Sequence, residues 1–318
     1  MSDIDNQPLS PGTLLNQAYE VIALLEQDAN TSIYCAADLT ADREVWLYML
    51  DTMHDISLRE RFQLEAKVLG RLKHPNIIRL FNFEMAESGQ TYMVLESLKG
   101  KRLSTLLAEA KQLSFDRALP IFVQLCDALR ACHKVGILHR ALKPHSVFLC
   151  EHNNNKEFVR IIDFANAKAA DAGSDHFASS VLAPGIVPDN EPCYLSPEHI
   201  LARPTTPQTD VYCLGLLILE TLTGRPAYTG KQVKRLLREH EFLEPGTLAK
   251  LRPDLSFPSG LQDVVSRALQ KEAAYRFQSV DELKNALLFI VGAESAEKLD
   301  TLLEQARSYL FGFLGKND

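Results

Sequence analysis

The segment HRALKPHS, at residues 139–146, decides how the rest of the sequence is interpreted. A strand-like run follows it directly at residues 147–149, and fourteen residues after Leu149 comes the tripeptide DFA at residues 163–165. A second strand-like run, residues 159–162, stands immediately before that tripeptide. The two runs predict a pair of short strands between two polar segments.

The chain before this segment predicts a small, strand-rich region. After a flexible lead-in at residues 1–17, residues 19–50 have a strand pattern that is broken by two polar turns, at residues 28–30 and 40–42. A helix is predicted at residues 57–72, and two further strands at residues 77–84 and 91–97.

The chain beyond residue 100 changes to helical periodicity. Residues 115–135 predict a long amphipathic helix, and residues 211–223 predict a largely buried one. We therefore predict an α+β chain with a small β-rich lobe at about residues 18–96 and a larger helical lobe at about residues 100–291, joined by a hinge. Residues 292–318 predict an amphipathic helix that either docks on the large lobe or binds a partner.

Composition excludes several classes of function. The 318 residues carry a net charge of −7, which argues against non-specific binding to nucleic acid or to an anionic membrane. No apolar run reaches the length of a membrane span, and the first residues lack a signal-peptide pattern. Six cysteines without a CxxC pair predict buried free thiols and a cytoplasmic protein.

The motifs together resemble those of eukaryotic-type (Hanks-type) serine/threonine protein kinases, in their bacterial branch. HRALKPHS resembles the catalytic loop, DFA resembles the metal-binding element, and SPE at residues 196–198 resembles the motif that follows it. The segments DVYCLG at residues 210–215 and RFQS at residues 276–279 continue the same order. The resemblance covers roughly residues 19–291 and implies a two-lobed kinase-like fold.

The resemblance also shows departures at the positions that bind phosphate. The three glycines of the family's phosphate loop are matched by Glu26, Asp28 and Thr31, and the two carboxylates would repel a polyphosphate. The lysine of the third family strand is matched by Tyr48, so its retained glutamate partner, Glu65, faces a changed position.

The catalytic loop departs at two further positions. Ala141 replaces the aspartate that deprotonates the substrate hydroxyl, and Ser146 replaces a metal-binding asparagine. Lys143 and Asp163 are retained, and Asp163 is the one metal ligand expected if magnesium binds at all.

The resemblance places an adenine pocket beside Trp46 and Phe148. Strand periodicity puts Trp46 and Tyr48 on one face, and the two large aromatics predict a filled pocket that binds no nucleotide. The alternative is that Trp46 packs into the core and leaves the pocket open. The matching hinge residues are Glu96, Ser97 and Leu98.

Five retained residues are expected to be structural. The resemblance implies a buried stack containing His139 and Phe164, a bond from Asp210 to the catalytic loop, and an ion pair between Glu198 and Arg276.

These departures predict a pseudokinase with no catalytic residues and no cofactor, acting as a scaffold or allosteric regulator. Its partner would be an active kinase, a phosphatase or another signalling protein, with no nucleic acid bound. One alternative is a weak or atypical phosphotransferase that uses ATP and Mg²⁺ through Asp163 and Lys143. A second alternative is a nucleotide or small-molecule sensor with a remodelled cleft.

Overall fold

The computed structural model describes residues 8–51, 55–152, 155–169, 191–201, 203–228, 245–294, 300 and 304. The chain divides into two compact units, one of residues 1–73 and 78–99 and the other of residues 74–77 and 100–318. The first unit is mostly sheet and the second mostly helix, which confirms the predicted α+β, two-lobed kinase-like fold. Among the described residues, no helix is long and apolar enough to cross a membrane.

The described part of the smaller unit forms one antiparallel sheet with the strand order β1-β2-β3-β4-β6-β5. The strands are β1 (Leu14–Leu15), β2 (Tyr19–Gln27), β3 (Thr31–Asp38), β4 (Arg43–Leu50), β5 (Leu80–Met85) and β6 (Thr91–Glu96). Both polar turns predicted in residues 19–50 are present. Asp38 stabilises the second turn, because its carboxylate accepts bonds from the N–H groups of Thr40 and Ala41 at 3.1 Å each.

Strand alternation sorts the side chains of β4 between the two faces of this sheet. Val45, Leu47 and Met49 lie in the apolar core on one face. Tyr48 lies on the other face, where it packs edge-on against Phe62 of helix α1 (Ile56–Arg71) with the ring centroids 5.2 Å apart. Helix α1 begins after Asp55, whose carboxylate accepts a bond from the Leu58 N–H.

The larger unit contains the remaining elements. They are β7 (Gly100–Arg102), α2 (Leu103–Ala110), α3 (Phe115–Lys134), β8 (Ile137–Leu138), β9 (Val147–His152), β10 (Asn155–Ile161), β11 (Lys168–Ala169), α4 (Pro197–Ile200), α5 (Pro207–Thr223), α6 (Leu248–Leu251), α7 (Leu261–Ala268) and α8 (Val280–Glu294). Strands β10, β9 and β7 pair in that order, and β11 pairs with β8. Helix α5 is buried along most of its length, as predicted for residues 211–223.

A strand predicted from Ile77 begins instead at Leu80. Residues 74–77 belong to the larger unit, where the Asn76 side-chain amide donates to Gln124 Oε1 at 3.0 Å and to the Val159 carbonyl at 2.9 Å. Ile77 pairs with Ile161 in an isolated parallel bridge. These long-range bonds fix the segment outside the sheet of the smaller unit.

Both ends of the chain differ from their predicted descriptions or fall outside the described residues. The lead-in predicted to be flexible through residue 17 contains β1, which pairs with β2. The Leu9 N–H also donates to the Tyr34 hydroxyl at 3.0 Å. Most of the helix predicted at residues 292–318 lies outside the described residues, and α8 continues through Glu294.

A buried ion pair joins α4 to the segment after α7. The Arg276 guanidinium donates to both carboxylate oxygens of Glu198, at 2.8 and 2.9 Å. The same guanidinium donates to the backbone carbonyls of Gln208, Gln270 and Lys271. Arg276 is 1% exposed, so the charge is desolvated and depends on these partners.

We predict that Arg276→Ala lowers the free energy of unfolding by about 3–5 kcal/mol, because it leaves the Glu198 carboxylate buried without its cation. Denaturant titration measures the change. The matched control is Arg203→Ala, which removes an exposed pair with Glu272 at 3.8 Å and should change stability by less than about 1 kcal/mol. Equal losses in the two variants would contradict the prediction.

A second prediction concerns pH. Burial lowers the pKa of His74 to about 4. The pKa of the unfolded histidine lies near its ordinary value of about 6.5. Between about pH 6.5 and pH 4 the unfolded chain therefore binds more protons than the folded chain, and the free energy of unfolding falls as the pH falls. The stabilising contribution of neutral His74 is therefore complete above about pH 6.5 and is lost as the pH falls towards 4.

We expect His74→Gln to weaken the loss of stability between pH 7 and pH 5, measured by denaturant titration at both values. Lys73→Gln, which changes the exposed residue next to His74, is the control and should retain the pH dependence of the unmodified chain. An unchanged pH dependence in His74→Gln would show that this histidine titrates normally in the folded protein.

Candidate functional site

The loop of residues 139–146 joins β8 to β9 and is held by Asp210 of α5. The Asp210 carboxylate accepts the N–H groups of His139 at 3.0 Å and Arg140 at 2.6 Å. His133 Nε2, from the last turn of α3, lies 2.7 Å from the same carboxylate. Burial raises the pKa of Asp210, but the bond from His133 and the charges of nearby groups outweigh it, so the pKa lies below its usual value.

Arg140 has a left-handed backbone conformation, with φ of +67°, which residues other than glycine rarely adopt. Its N–H bond to Asp210 holds that conformation, and its Nε donates to the Asn166 carbonyl at 2.8 Å. The loop is therefore fixed from both sides, to α5 and to the segment that follows Asp163. Such strained residues occur often at functional sites.

Lys143 and Asp163 form the charged pair of the site. Lys143 Nζ lies 3.5 Å from Asp163 Oδ2, and the side chains are 11% and 26% exposed. Burial raises the pKa of Asp163, but the Lys143 ammonium, the bond from the Ala165 N–H and other neighbouring groups together lower it by more, so the pKa lies below its usual value and the carboxyl is ionised at neutral pH. The site therefore presents one cation and one partly accessible carboxylate.

Ser146 closes the loop on itself. Its hydroxyl donates to the Lys143 carbonyl at 3.0 Å and accepts the Lys143 N–H at 3.1 Å. These two bonds use its one donor and one of its two acceptor lone pairs, which leaves a weak ligand for a metal. Ala141, in the same loop, contributes a methyl group that can neither accept a proton nor orient a hydroxyl.

His139 and Phe164 lie together, as the predicted stack requires. Their ring centroids are 4.9 Å apart, and each residue is 1% exposed. Burial lowers the pKa of His139, so its ring is neutral at pH 7. The contact joins the catalytic loop to the segment that carries Asp163.

The predicted residues of the smaller unit lie around the β2–β3 turn, on strand β4 and on helix α1. The Asp28 carboxylate accepts bonds from the N–H groups of Asn30 and Thr31, at 2.8 Å each. Glu26 is exposed at the end of β2. Glu65 of α1 is buried, and Tyr48 presents an aromatic ring where the resemblance implies a lysine.

The hinge and adenine-pocket residues are divided between the units. The Glu96 carboxylate accepts the Arg79 N–H at 2.9 Å, and the Ser97 hydroxyl donates to Glu44. Trp46 belongs to the smaller unit and Phe148 to the larger, and both are buried. The filled adenine pocket stays a prediction.

Sequence reasoning missed His133 as part of the site. The available signal was a histidine in the last turn of a strongly amphipathic helix, six residues before His139. Its role depends on the fold, because its partner Asp210 lies 77 residues further along the chain.

Magnesium fits this site through a single protein carboxylate. Among the described residues, no three acidic, histidine or cysteine side chains come together as a metal cluster. Mg²⁺ commonly binds through one or two carboxylates and completes its coordination with water and substrate phosphates. Ionised Asp163 meets that minimal requirement.

Proteins named as serine/threonine protein kinases are similar to most of this chain. The kinase pkn2 of Myxococcus xanthus is 33% identical over 91% of the chain and 34% of its own length. A probable serine/threonine-protein kinase of Corynebacterium efficiens is 32% identical over 83% of the chain and 40% of its own length. The kinase PknB of Mycobacterium tuberculosis is 29% identical over 95% of the chain and 47% of its own length. The chain thus spans less than half the length of these three relatives.

These similarities contradict the predicted function. The departures from the family pattern predicted a pseudokinase that acts as a scaffold or regulator without enzymatic activity, whereas the similar proteins are named as kinases. They also give no support to the expectation that no cofactor is used, because protein kinases use ATP with Mg²⁺. That prediction took the departures at Tyr48, Ala141, Ser146 and the β2–β3 turn as sufficient to exclude phosphotransfer.

The family assignment itself rests on a longer match. The family model of the protein kinase domain matches residues 23–289, which include the β2–β3 turn, the catalytic loop, Asp163 and the Glu198–Arg276 pair. The same residues form a β-rich unit and a helical unit with the loop held by Asp210. The chain belongs to the protein kinase domain family.

Proposed function

We propose that this chain is an atypical serine/threonine protein kinase, which transfers the γ-phosphoryl group of ATP to a hydroxyl group of a protein. The observation that carries the proposal is the pair of Lys143 and ionised Asp163, whose charged groups lie 3.5 Å apart, with Lys143 on the loop fixed by Asp210. The kinase names of its relatives support the reaction type. Phosphoryl transfer depends mainly on positioning and electrostatic stabilisation, and this pair supplies both signs of charge.

Each charged group has a separate task in this reaction. Asp163 would hold Mg²⁺, which supplies positive charge beside the phosphate oxygens when it is bound. Lys143 places its ammonium beside the same carboxylate and stabilises negative charge on the transferring phosphoryl group. The bond from the Arg140 N–H to the Asp210 carboxylate holds the loop, so Lys143 needs little reorganisation.

The substrate hydroxyl loses its proton without a carboxylate at position 141. The hydroxyl oxygen bonds to the γ-phosphorus, the bond to the leaving ADP oxygen breaks, and the proton passes to water. General-base help typically contributes about 10²- to 10⁴-fold, so its loss slows the reaction without abolishing it. Tyr48 supplies no cation, which places more of the charge stabilisation on Lys143.

We predict that the purified chain transfers radiolabel from [γ-³²P]ATP to itself or to a generic protein substrate. Asp163→Asn and Lys143→Ala should each lower the initial rate by at least about tenfold, because each removes a charge that acts on the phosphates. The matched controls are Asp263→Asn and Lys250→Ala, which change exposed residues outside the site and should leave the rate unchanged.

Two outcomes would contradict this proposal. The first is no label transfer by the folded chain at any ATP concentration. The second is transfer that persists unchanged in both Asp163→Asn and Lys143→Ala, which would show that a contaminating kinase or another site performs it. Circular dichroism of each variant verifies that the fold is retained.

A further prediction is that Ala141→Asp accelerates the reaction. The new carboxylate would accept the hydroxyl proton, and we expect kcat to rise by about tenfold or more with little change in the KM for ATP. Ala141→Asn is the matched control, because it has nearly the same shape but is a much weaker base. Equal rates in the two variants would show that proton removal does not limit the reaction.

A further inference from the structure

In the turn between β2 and β3, the Asp28 carboxylate accepts hydrogen bonds from backbone N–H groups of the same turn. Asp28 Oδ1 accepts the N–H groups of Asn30 and Thr31, both at 2.8 Å, and Oδ2 accepts the Thr31 hydroxyl at 3.0 Å. The Asp28 N–H donates in turn to the Thr31 carbonyl at 2.9 Å. Two backbone N–H groups of this turn, those of Asn30 and Thr31, are therefore committed to one anionic side chain.

These donors are the kind of group that binds phosphate in other loops. Successive backbone N–H groups in a turn form a concave anion site, and in protein kinases the loop at this place covers the nucleotide phosphates. A side-chain carboxylate on the same N–H groups has the charge and the acceptor geometry of a phosphate oxygen. The carboxylate therefore occupies the Asn30 and Thr31 N–H groups in the absence of nucleotide.

The surroundings add to the negative charge. Glu26 is exposed two residues before Asp28. Asp51 lies beside the turn, since its N–H donates to the Asn30 carbonyl at 2.8 Å and its carboxylate accepts the Ser32 hydroxyl. Burial raises the pKa of Asp51, and the nearby charge of Asp28 raises it further.

We propose that Asp28 acts as an internal competitor of the ATP phosphates, which occupies the amide groups of the β2–β3 turn and sets a weak affinity for nucleotide. This inference rests on the proposed function, because it assumes that ATP is the substrate. Phosphate binding at the turn requires that the carboxylate leaves the two N–H groups or that the phosphates forgo them. The first route breaks two charge-assisted bonds of the turn, and the second deprives the phosphates of two such bonds.

The test compares two substitutions of one residue. Asp28→Gly removes the carboxylate and frees the two N–H groups, whereas Asp28→Asn removes the charge but keeps an oxygen that accepts both bonds. We expect Asp28→Gly to tighten the binding of Mg·ATP by about tenfold or more, and Asp28→Asn to tighten it by a smaller factor. Isothermal titration calorimetry measures both, and Glu20→Gln, an exposed charge change on the strand that precedes the turn, should leave the affinity unchanged.

Steady-state kinetics and amide exchange give independent measures. The KM for ATP should fall in Asp28→Gly while kcat stays the same, because the turn acts on binding and not on the chemical step. Inorganic tripolyphosphate should slow amide hydrogen exchange at Asn30 and Thr31 in Asp28→Gly and not in the unmodified chain. An effect confined to these amides would exclude a general change in stability.

Each combination of results decides between the two proposals. If the unmodified chain transfers phosphate and Asp28→Gly binds Mg·ATP no more tightly, the competitor proposal is wrong and the kinase proposal stands. Equal gains in Asp28→Gly and Asp28→Asn would also overturn it, since charge repulsion alone would then explain the effect. Binding by Asp28→Gly together with an inactive unmodified chain would support the competitor and refute the kinase. Binding by neither chain would refute both.

Discussion

A single buried carboxylate, that of Asp210, holds the functional loop in place. It accepts the N–H groups of two consecutive loop residues and contacts His133, and it does so from the first turn of a helix that is buried along most of its length. Without these bonds two amide groups would be buried unpaired, and Arg140 would lose the support for its left-handed backbone. The position of Lys143 relative to Asp163 depends on this support.

Much of the fold follows from local sequence, but several of its details do not. Turn residues and periodicity predicted strands β2 to β4 and helices α1 and α3 to within one residue at most ends, because those elements are defined by neighbouring residues. Strand β1 escaped prediction because two residues carry no periodicity. Residues 77–79 were wrongly assigned to a strand, because the neighbouring Asn76 is held by Gln124 and Val159, which lie 48 and 83 residues away.

The candidate site shows a different limit of sequence reasoning. The motif positions identified the loop, Asp163 and the structural pair of Glu198 and Arg276, all of which the structure brings into contact with partners. When this sequence is compared with the family's motifs position by position, the replacement of an aspartate or lysine suggests a loss of function. Such a comparison does not register how far the remaining charges are desolvated and aligned, or that Asp28 already binds its own turn, because these depend on distances.

The segment of residues 74–77 has a consequence for how the chain can be divided. It belongs to the larger unit although residues on both sides of it belong to the smaller one, so the backbone passes between the units after residues 73, 77 and 99. A fragment that starts at residue 100 would lack Asn76 and would leave the Gln124 amide oxygen and the Val159 carbonyl without their shared donor. Neither unit is therefore a single continuous segment of the chain. A truncation, or a domain exchange with a relative, has to keep residues 74–77 together with the helical unit.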